Sequence, residues 1–277
     1  MTERVEPLRD FSRLSLNTKT VEGWSIEQAV NGCAAHGIPY IALWRDRVAE
    51  TGLARSAALV SDASLKVSSL CRGGFFPAAT KIERAERIDD NRRAVDEAAE
   101  LGAEVLILVC GPAPDRDIDG ARAMVADGVA EIAPYARERG VRLGIEPLHP
   151  MFAGDRSVIV TLAEALNVAQ RFPSEQVGVV VDAYHVWWDP DLYPQIARAG
   201  ARIAGFHVND WLVPLPDPLL GRGMMGDGVI ELRKLRTAVE LAGYSGPIEV
   251  EIFNRALWDM PGDDLIALMK RRFLECV

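Results

Sequence analysis

Residues 141–185 read VRLGIEPLHPMFAGDRSVIVTLAEALNVAQRFPSEQVGVVVDAYH. The segment opens on a short apolar run closed by Glu146 and passes through a proline-bracketed loop. After a stretch with helical apolar spacing it reaches a second run, 177–181, closed by Asp182. Compact β-branched runs of this kind fit parallel strands covered on both faces, and a helical connection between two of them is a βαβ unit. The same rhythm extends in both directions. Candidate strands occupy 14–16, 40–43, 66–71, 105–109, 142–145, 177–181, 202–207 and 248–252. Helical patterns fill 25–36, 51–63, 82–101, 121–139, 158–171, 190–199, 229–242 and 263–274. Ser25 and Gln28 form a capping arrangement at the first of these, while Gly37, Gly102, Gly140 and Gly243 stand where helices stop.

Strand-then-helix units repeated eight times without a break in composition predict an α/β fold, one closed (β/α)8 barrel domain over 1–277. An open doubly wound sheet would carry a glycine-rich phosphate turn after its first strand, and here Asn17-Thr18-Lys19-Thr20 follows instead. Gly111-Pro112-Ala113-Pro114 lacks the Lys-Ser/Thr of a P-loop.

The chain has 277 residues, 49% hydrophobic and 26% charged, which disfavours disorder. Its net charge of −9 disfavours a phosphate backbone as partner. No apolar run approaches the roughly 20 residues needed to cross a bilayer, and the first residues lack a signal-peptide pattern. Cys33, Cys71, Cys110 and Cys276 are widely spaced and read as reduced thiols. A cytoplasmic protein without nucleic-acid or membrane partners is the expectation.

A barrel places its chemistry where strands end and the following loops begin. The last four strands end in Glu146, Asp182, His207 and Glu251. At equivalent heights on adjacent strands these groups converge on one point. Three carboxylates and an imidazole suit Mn²⁺ or Mg²⁺ better than a thiolate-seeking metal. Glu249 faces the same side as Glu251 but lies about one layer deeper, so it needs a charged or hydrogen-bonding partner.

Glu146-Pro147-Leu148, Asp182-Ala183-Tyr184-His185, Phe206-His207-Val208 and Glu249-Val250-Glu251 resemble the sugar phosphate isomerase/epimerase superfamily, the xylose isomerase-like barrels. The resemblance covers nearly the whole chain. It implies one divalent ion per chain, Mn²⁺ or else Mg²⁺, Co²⁺ or Zn²⁺, held by Glu146, Asp182, His207 and Glu251. It further implies that Glu146 and Glu251 act as an acid/base pair and that His185 touches substrate oxygen. The epimerases of this superfamily carry an arginine shortly after the strand-7 histidine. Here that position lies within Asp210-Trp211-Leu212-Val213, and the nearest arginine is Arg222.

Proton abstraction beside a carbonyl, with an enediolate stabilised by the metal, is the chemistry such a site performs. The expected activity is isomerisation or epimerisation of a keto sugar or keto-polyol. The alternative is a lyase using the same enolisation: an inosose-type dehydratase, or the metal-binding subunit of a 3-oxo-C-glycoside deglycosidase with a small partner subunit. A homo-oligomer is also expected. A DNA-repair endonuclease on this barrel needs about five histidines, by resemblance, and the chain has four. A noncatalytic binding protein would tolerate loss of a ligand, yet all four are present.

His149, between Pro147 and Pro150, is a candidate acid/base. Trp187 and Trp211 are candidate apolar walls for substrate, as is Trp188. Arg156 and Arg222 are candidate ligands of substrate oxygen. Trp44, Arg45 and Arg72 are weaker candidates after strands 2 and 3.

Overall fold

The computed structural model describes residues 6–277. The eight apolar runs form parallel strands: β1 Leu14–Asn17, β2 Tyr40–Trp44, β3 Lys66–Gly74, β4 Val105–Val109, β5 Arg142–Glu146, β6 Val177–Asp182, β7 Ile203–Val208 and β8 Ile248–Val250. β1 closes the ring, pairing Leu14 with Ile248 of β8 and Ser15 with Tyr40 of β2. The result is the expected closed barrel, with helices between successive strands.

Alternation along the strands divides the apolar residues into two cores. Leu106 and Leu108 of β4 point outward into the main core beneath the helices. Val105 and Ile107 point inward, where they pack with Cys71, Val180 and Ala204. The rest of the interior is polar. Ser15 and Ser68 share a hydrogen bond of 2.7 Å there, close to Asn17, Ser69 and Glu249. Gly74 ends β3 at φ +98°, where a Cβ would lie 2.0 Å from the Val109 carbonyl oxygen, so only glycine allows β3 to pack this closely on β4.

Several helix boundaries differ from the sequence expectation, each for a local reason. The helix expected over 51–63 runs Leu53–Asp62, and an unforeseen helix Arg45–Thr51 precedes it, separated by Gly52 at φ +91°. The helix expected over 158–171 starts only at Leu162, because Thr161 and Glu164 form a capping box. The residues before it run extended and tie to neighbouring loops, Leu148 N–H donating to Ile159 O. The helix expected over 229–242 starts at Leu232. There the preceding N–H groups of Gly226, Gly228 and Ile230 donate to Asp210.

Arg45 belongs to this framework. It spans Glu97 at 2.6 Å and Asp90 at 3.0 Å, fastening the end of β2 to the helix Lys81–Glu100. Hydrogen bonding to Arg45, opposed by partial burial, holds Asp90 below its ordinary 3.8. A carboxylate with a depressed folded value contributes stability that is fully present above 3.8 and is lost as pH falls through the folded value. Arg45→Met is therefore expected to lower stability by about 1–2 kcal/mol at neutral pH. Urea unfolding should show the difference shrinking in acid, and equal midpoints at pH 7 would refute this role.

Candidate metal centre

Strand register sets the site before any side chain is considered. His207 of β7 pairs with Asp182 of β6 on one side and Glu249 of β8 on the other. Glu146 ends β5, and Glu251 follows β8 by one residue. One atom each of Glu146, Asp182, His207 and Glu251 lies within 4.8 Å of the others, and all four residues are buried. His207 Nδ1 faces Glu146 Oε1 at 3.4 Å, Asp182 Oδ2 at 3.9 Å and Glu251 Oε2 at 4.0 Å.

Two observations test whether these groups fit a cation. Glu146 Oε1 and His207 Nδ1 are buried yet lack a hydrogen-bond partner among the described residues. An unpartnered buried polar atom is costly, and two of them aimed at one point mark a place for a ligand. Charge makes the same point. Glu146, Asp182, Glu251 and Glu249 crowd around a single imidazole and a single guanidinium. Burial raises the Glu146 carboxyl and pushes Glu251 up to about 8, with neighbouring carboxylates adding to both shifts. Burial alone would depress His207, but Glu249, Glu146 and Glu251 lift it to about 10. The site is short of positive charge, and its donors are oxygen-rich. It could hold a divalent metal ion.

Surrounding groups fix the ligands. Glu249 Oε2 lies 3.6 Å from His207 Nε2 and accepts from Ser68 Oγ at 3.1 Å and Ser69 Oγ at 2.9 Å. Its Oε1 accepts from Asn17 Nδ2 at 2.7 Å. These are the partners that the deeper glutamate needs, and with Nε2 turned to Glu249 the Nδ1 of His207 is left facing the cluster. The same Asn17 amide donates to Glu251 Oε1 at 3.0 Å. Asp182 Oδ1 accepts from Tyr184 N–H at 2.8 Å and Asn209 Nδ2 at 3.0 Å, which leaves Oδ2 for the centre.

Arg222 reaches the site through a short ribbon in which Trp211 pairs with Arg222. Its N–H donates to Phe253 O and its carbonyl accepts from Asn254 Nδ2. The guanidinium lies between the rings of Tyr184 and Phe253, 4.7 Å from each, and Nη1 stands 3.0 Å from Glu251 Oε2 and 3.2 Å from Asp182 Oδ2. His185 is buried, which depresses its imidazole to about 3 and keeps it neutral. The His149 backbone N–H donates to His185 Nδ1 at 3.1 Å. Arg222 Nη2 approaches the other nitrogen, Nε2, at 3.2 Å, so two donors face the two nitrogens of one neutral ring that can accept at only one of them.

A cavity of about 140 Å³ opens over the cluster, lined by Glu146, Glu251, His185, Arg222, Arg72 and Arg156. A cavity of about 150 Å³ admits a benzene-sized molecule, so one six-membered ring fits. Trp44, Phe152 and Phe253 supply apolar wall. The remaining candidates lie elsewhere. His149, Trp187 and Trp211 do not line this cavity; they pack together behind it, with His149 stacked on Trp211 at 4.9 Å and Trp187 5.4 Å from Trp211. Trp188 meets His149 edge-on at 5.6 Å. Sequence reasoning passed over Phe253 and the site role of Asn17. Asn17 carried a legible signal as a polar residue ending an apolar strand, whereas Phe253 carried none. Cys71 also lines the cavity, but burial, with Glu251 and Glu146 near, raises its thiol well above the usual range and leaves it inert.

Among the described residues no helix is long and apolar enough to cross a membrane. Among curated proteins, residues of this chain are 30% identical over 184 positions to 3-dehydroshikimate dehydratase of Pseudomonas aeruginosa, covering 62% of this chain. The match spans only 26% of that protein, about a quarter of its length. Inosose isomerase of Bacillus licheniformis is 21% identical over 269 residues, 93% of this chain and 95% of the isomerase. Among solved structures, protein SMc04130 of Sinorhizobium meliloti 1021 superimposes with a TM-score of 0.94 at 50% identity, over 96% of this chain and 99% of that one. Residues 30–274 match the family described as Xylose isomerase-like TIM barrel, and the chain belongs to that family.

Proposed function

We propose that this chain is a divalent-metal-dependent enzyme that enolises a small keto sugar or keto-polyol and releases an isomer or epimer. The observation that carries the reading is the ring of Glu146, Asp182, His207 and Glu251 facing one single-ring cavity, with two buried donor atoms left unpartnered. Those four residues would hold the ion, Mn²⁺ in first place by the hardness of the donors. When bound, such an ion supplies Lewis-acid stabilisation of negative charge developing on substrate oxygen.

The chain's own groups carry the protons. Glu146 and Glu251 both line the cavity, and burial raises both carboxyls, toward the range where one group can accept and then return a proton. One takes the proton from the carbon beside the carbonyl; the C–H electron pair forms the C=C bond and the carbonyl π pair moves onto oxygen. Return of a proton to the opposite face of the same carbon gives the epimer; return to the former carbonyl carbon, with the neighbouring hydroxyl proton passing to the former carbonyl oxygen, gives the isomer. His185 lines the cavity as a neutral imidazole and contacts substrate oxygen, held by the His149 backbone N–H. His149 acts through that N–H, its ring being packed on Trp211.

A second reading, dehydration, draws on the 30% identity to a dehydratase. It needs the same first step, followed by loss of a β-hydroxyl as water. The test is proton NMR in D₂O with Mn²⁺ over ketohexoses, inososes, hydroxypyruvate, 3-oxo-glucosides and 3-dehydroshikimate. Deuterium beside a carbonyl is expected with one of these classes, and the product separates isomer, epimer and dehydrated compound. Absence of exchange with every compound in metal-loaded protein would sink enolisation.

A further inference from the structure

Two guanidinium groups in the cavity have no role in the chemistry just described. Among the described residues Arg72 has no carboxylate within salt-bridge distance and its guanidinium donates no hydrogen bond, although the residue is half-buried. Its guanidinium lies 4.0 Å over the ring of Phe75, whose N–H is anchored on Val109 O at 2.7 Å. Arg156 meets only the exposed Asp155, at 3.5 Å, and its Nε is buried without a partner. Its backbone is tied to the same place, because Arg156 O accepts from Gly111 N–H just beyond β4. The other two cations in the wall are already paired, Lys19 with Glu22 and Asp46 and Arg222 with Asp182 and Glu251.

Two arginines thus converge from the β3 and β5 sides over the end of β4, in a protein of net charge −9. Burial, with Arg156 and Arg45 near, lowers the Arg72 guanidinium. Planar guanidinium groups, one without a carboxylate and the other with only an exposed one at 3.5 Å, are suited to a carboxylate or phosphate. Building on the enolising function proposed above, we propose that the substrate carries an anionic oxygen group, a carboxylate or phosphate, which lies between Arg72 and Arg156 while its carbonyl end faces the acidic cluster. The whole cavity is about 140 Å³, which limits the substrate to a small molecule of about one ring.

Binding is measured without turnover, by calorimetry on the full chain, with Mn²⁺ and after its removal. The probes are cyclohexanecarboxylate, its neutral counterpart cyclohexanemethanol, and inorganic phosphate. At least one anion is expected to bind wild type at least about tenfold more tightly than Arg72→Met or Arg156→Met, the scale of one charge-assisted hydrogen bond. The neutral alcohol is expected to bind all three proteins alike. The tighter anion identifies the group as carboxylate or phosphate. Arg156 sits in a half-exposed loop, so its variant serves if Arg72→Met does not fold. No anion binding, or binding that both variants leave unchanged, would overturn the proposal; Mn²⁺-dependent binding indifferent to the variants would assign the anion to the metal and overturn it equally. A failure of deuterium exchange leaves these binding results standing, so the two readings fail separately.

Discussion

Glu251→Gln is expected to lose metal affinity by at least about a hundredfold and exchange activity by about 10²–10⁴-fold. The substitution keeps shape and volume, so its effects are those of charge and proton transfer. In wild type Oε1 accepts from Asn17 Nδ2 and Oε2 from Arg222 Nη1. An amide NH₂ in place of either oxygen sets donor against donor, and one carboxylate fewer remains to neutralise a cation. Manganese retained after dialysis, and deuterium incorporation in D₂O, are the two readouts. Wild-type values for both would remove Glu251 from the centre.

Arg222→Met is expected to destabilise the metal-free protein by about 3–5 kcal/mol, the usual result of taking one partner from a buried ion pair. Methionine fills the slot between the Tyr184 and Phe253 rings, so packing is largely kept while the charge is lost. Asp182 and Glu251 then lose the cation at 3.2 and 3.0 Å. Burial raises Asp182, but Arg222, His185 and His207 outweigh it and hold the carboxyl below its ordinary 3.8. That contribution is full above 3.8 and disappears as pH falls through the lower folded value, so the gap between variant and wild type narrows in acid. Added Mn²⁺ is expected to raise the melting temperature of the variant more than that of wild type, because it restores the missing positive charge. Equal metal-free melting temperatures would show that Arg222 does not balance the cluster.

These two residues differ in how openly the sequence displayed them. Glu251 stands at the end of an apolar run, as do Glu146 and Asp182, and the likeness of these positions is visible in the chain itself. Arg222 lies in a loop rich in Gly and Met with no periodicity to place it. The ribbon with Trp211 and the carboxylate of Asp210, which gathers Gly226, Gly228 and Ile230, bring Arg222 inward. Arg72 stood only among the weaker candidates, by its place after strand 3. That its guanidinium lines the cavity over the Phe75 ring is revealed only by the packed structure.

The aromatic residues taught the converse. Trp187 and Trp211 follow strands on the functional face of the barrel, where substrate walls are expected. The structure turns Trp211 onto Tyr184 and His149 and Trp187 onto Trp211, and Trp44, Phe152 and Phe253 face the cavity instead. Position at a strand end selects the face of the barrel, but loop geometry selects the direction of the side chain.

By itself the amino-acid sequence determined the barrel and the set of acidic and imidazole groups at the ends of its last four strands. Both are local properties: alternation and apolar length define each strand, and parallel pairing of consecutive strands brings equivalent ends to one height. Tertiary structure alone decided which cations enter the cluster, what satisfies Glu249, and how large a molecule fits above it. Those outcomes depend on contacts between residues as far apart as Asn17 and Glu249. Contacts across the barrel interior join strands far apart in sequence, Arg222 arrives on a loop of irregular path, and no periodicity in the chain encodes either.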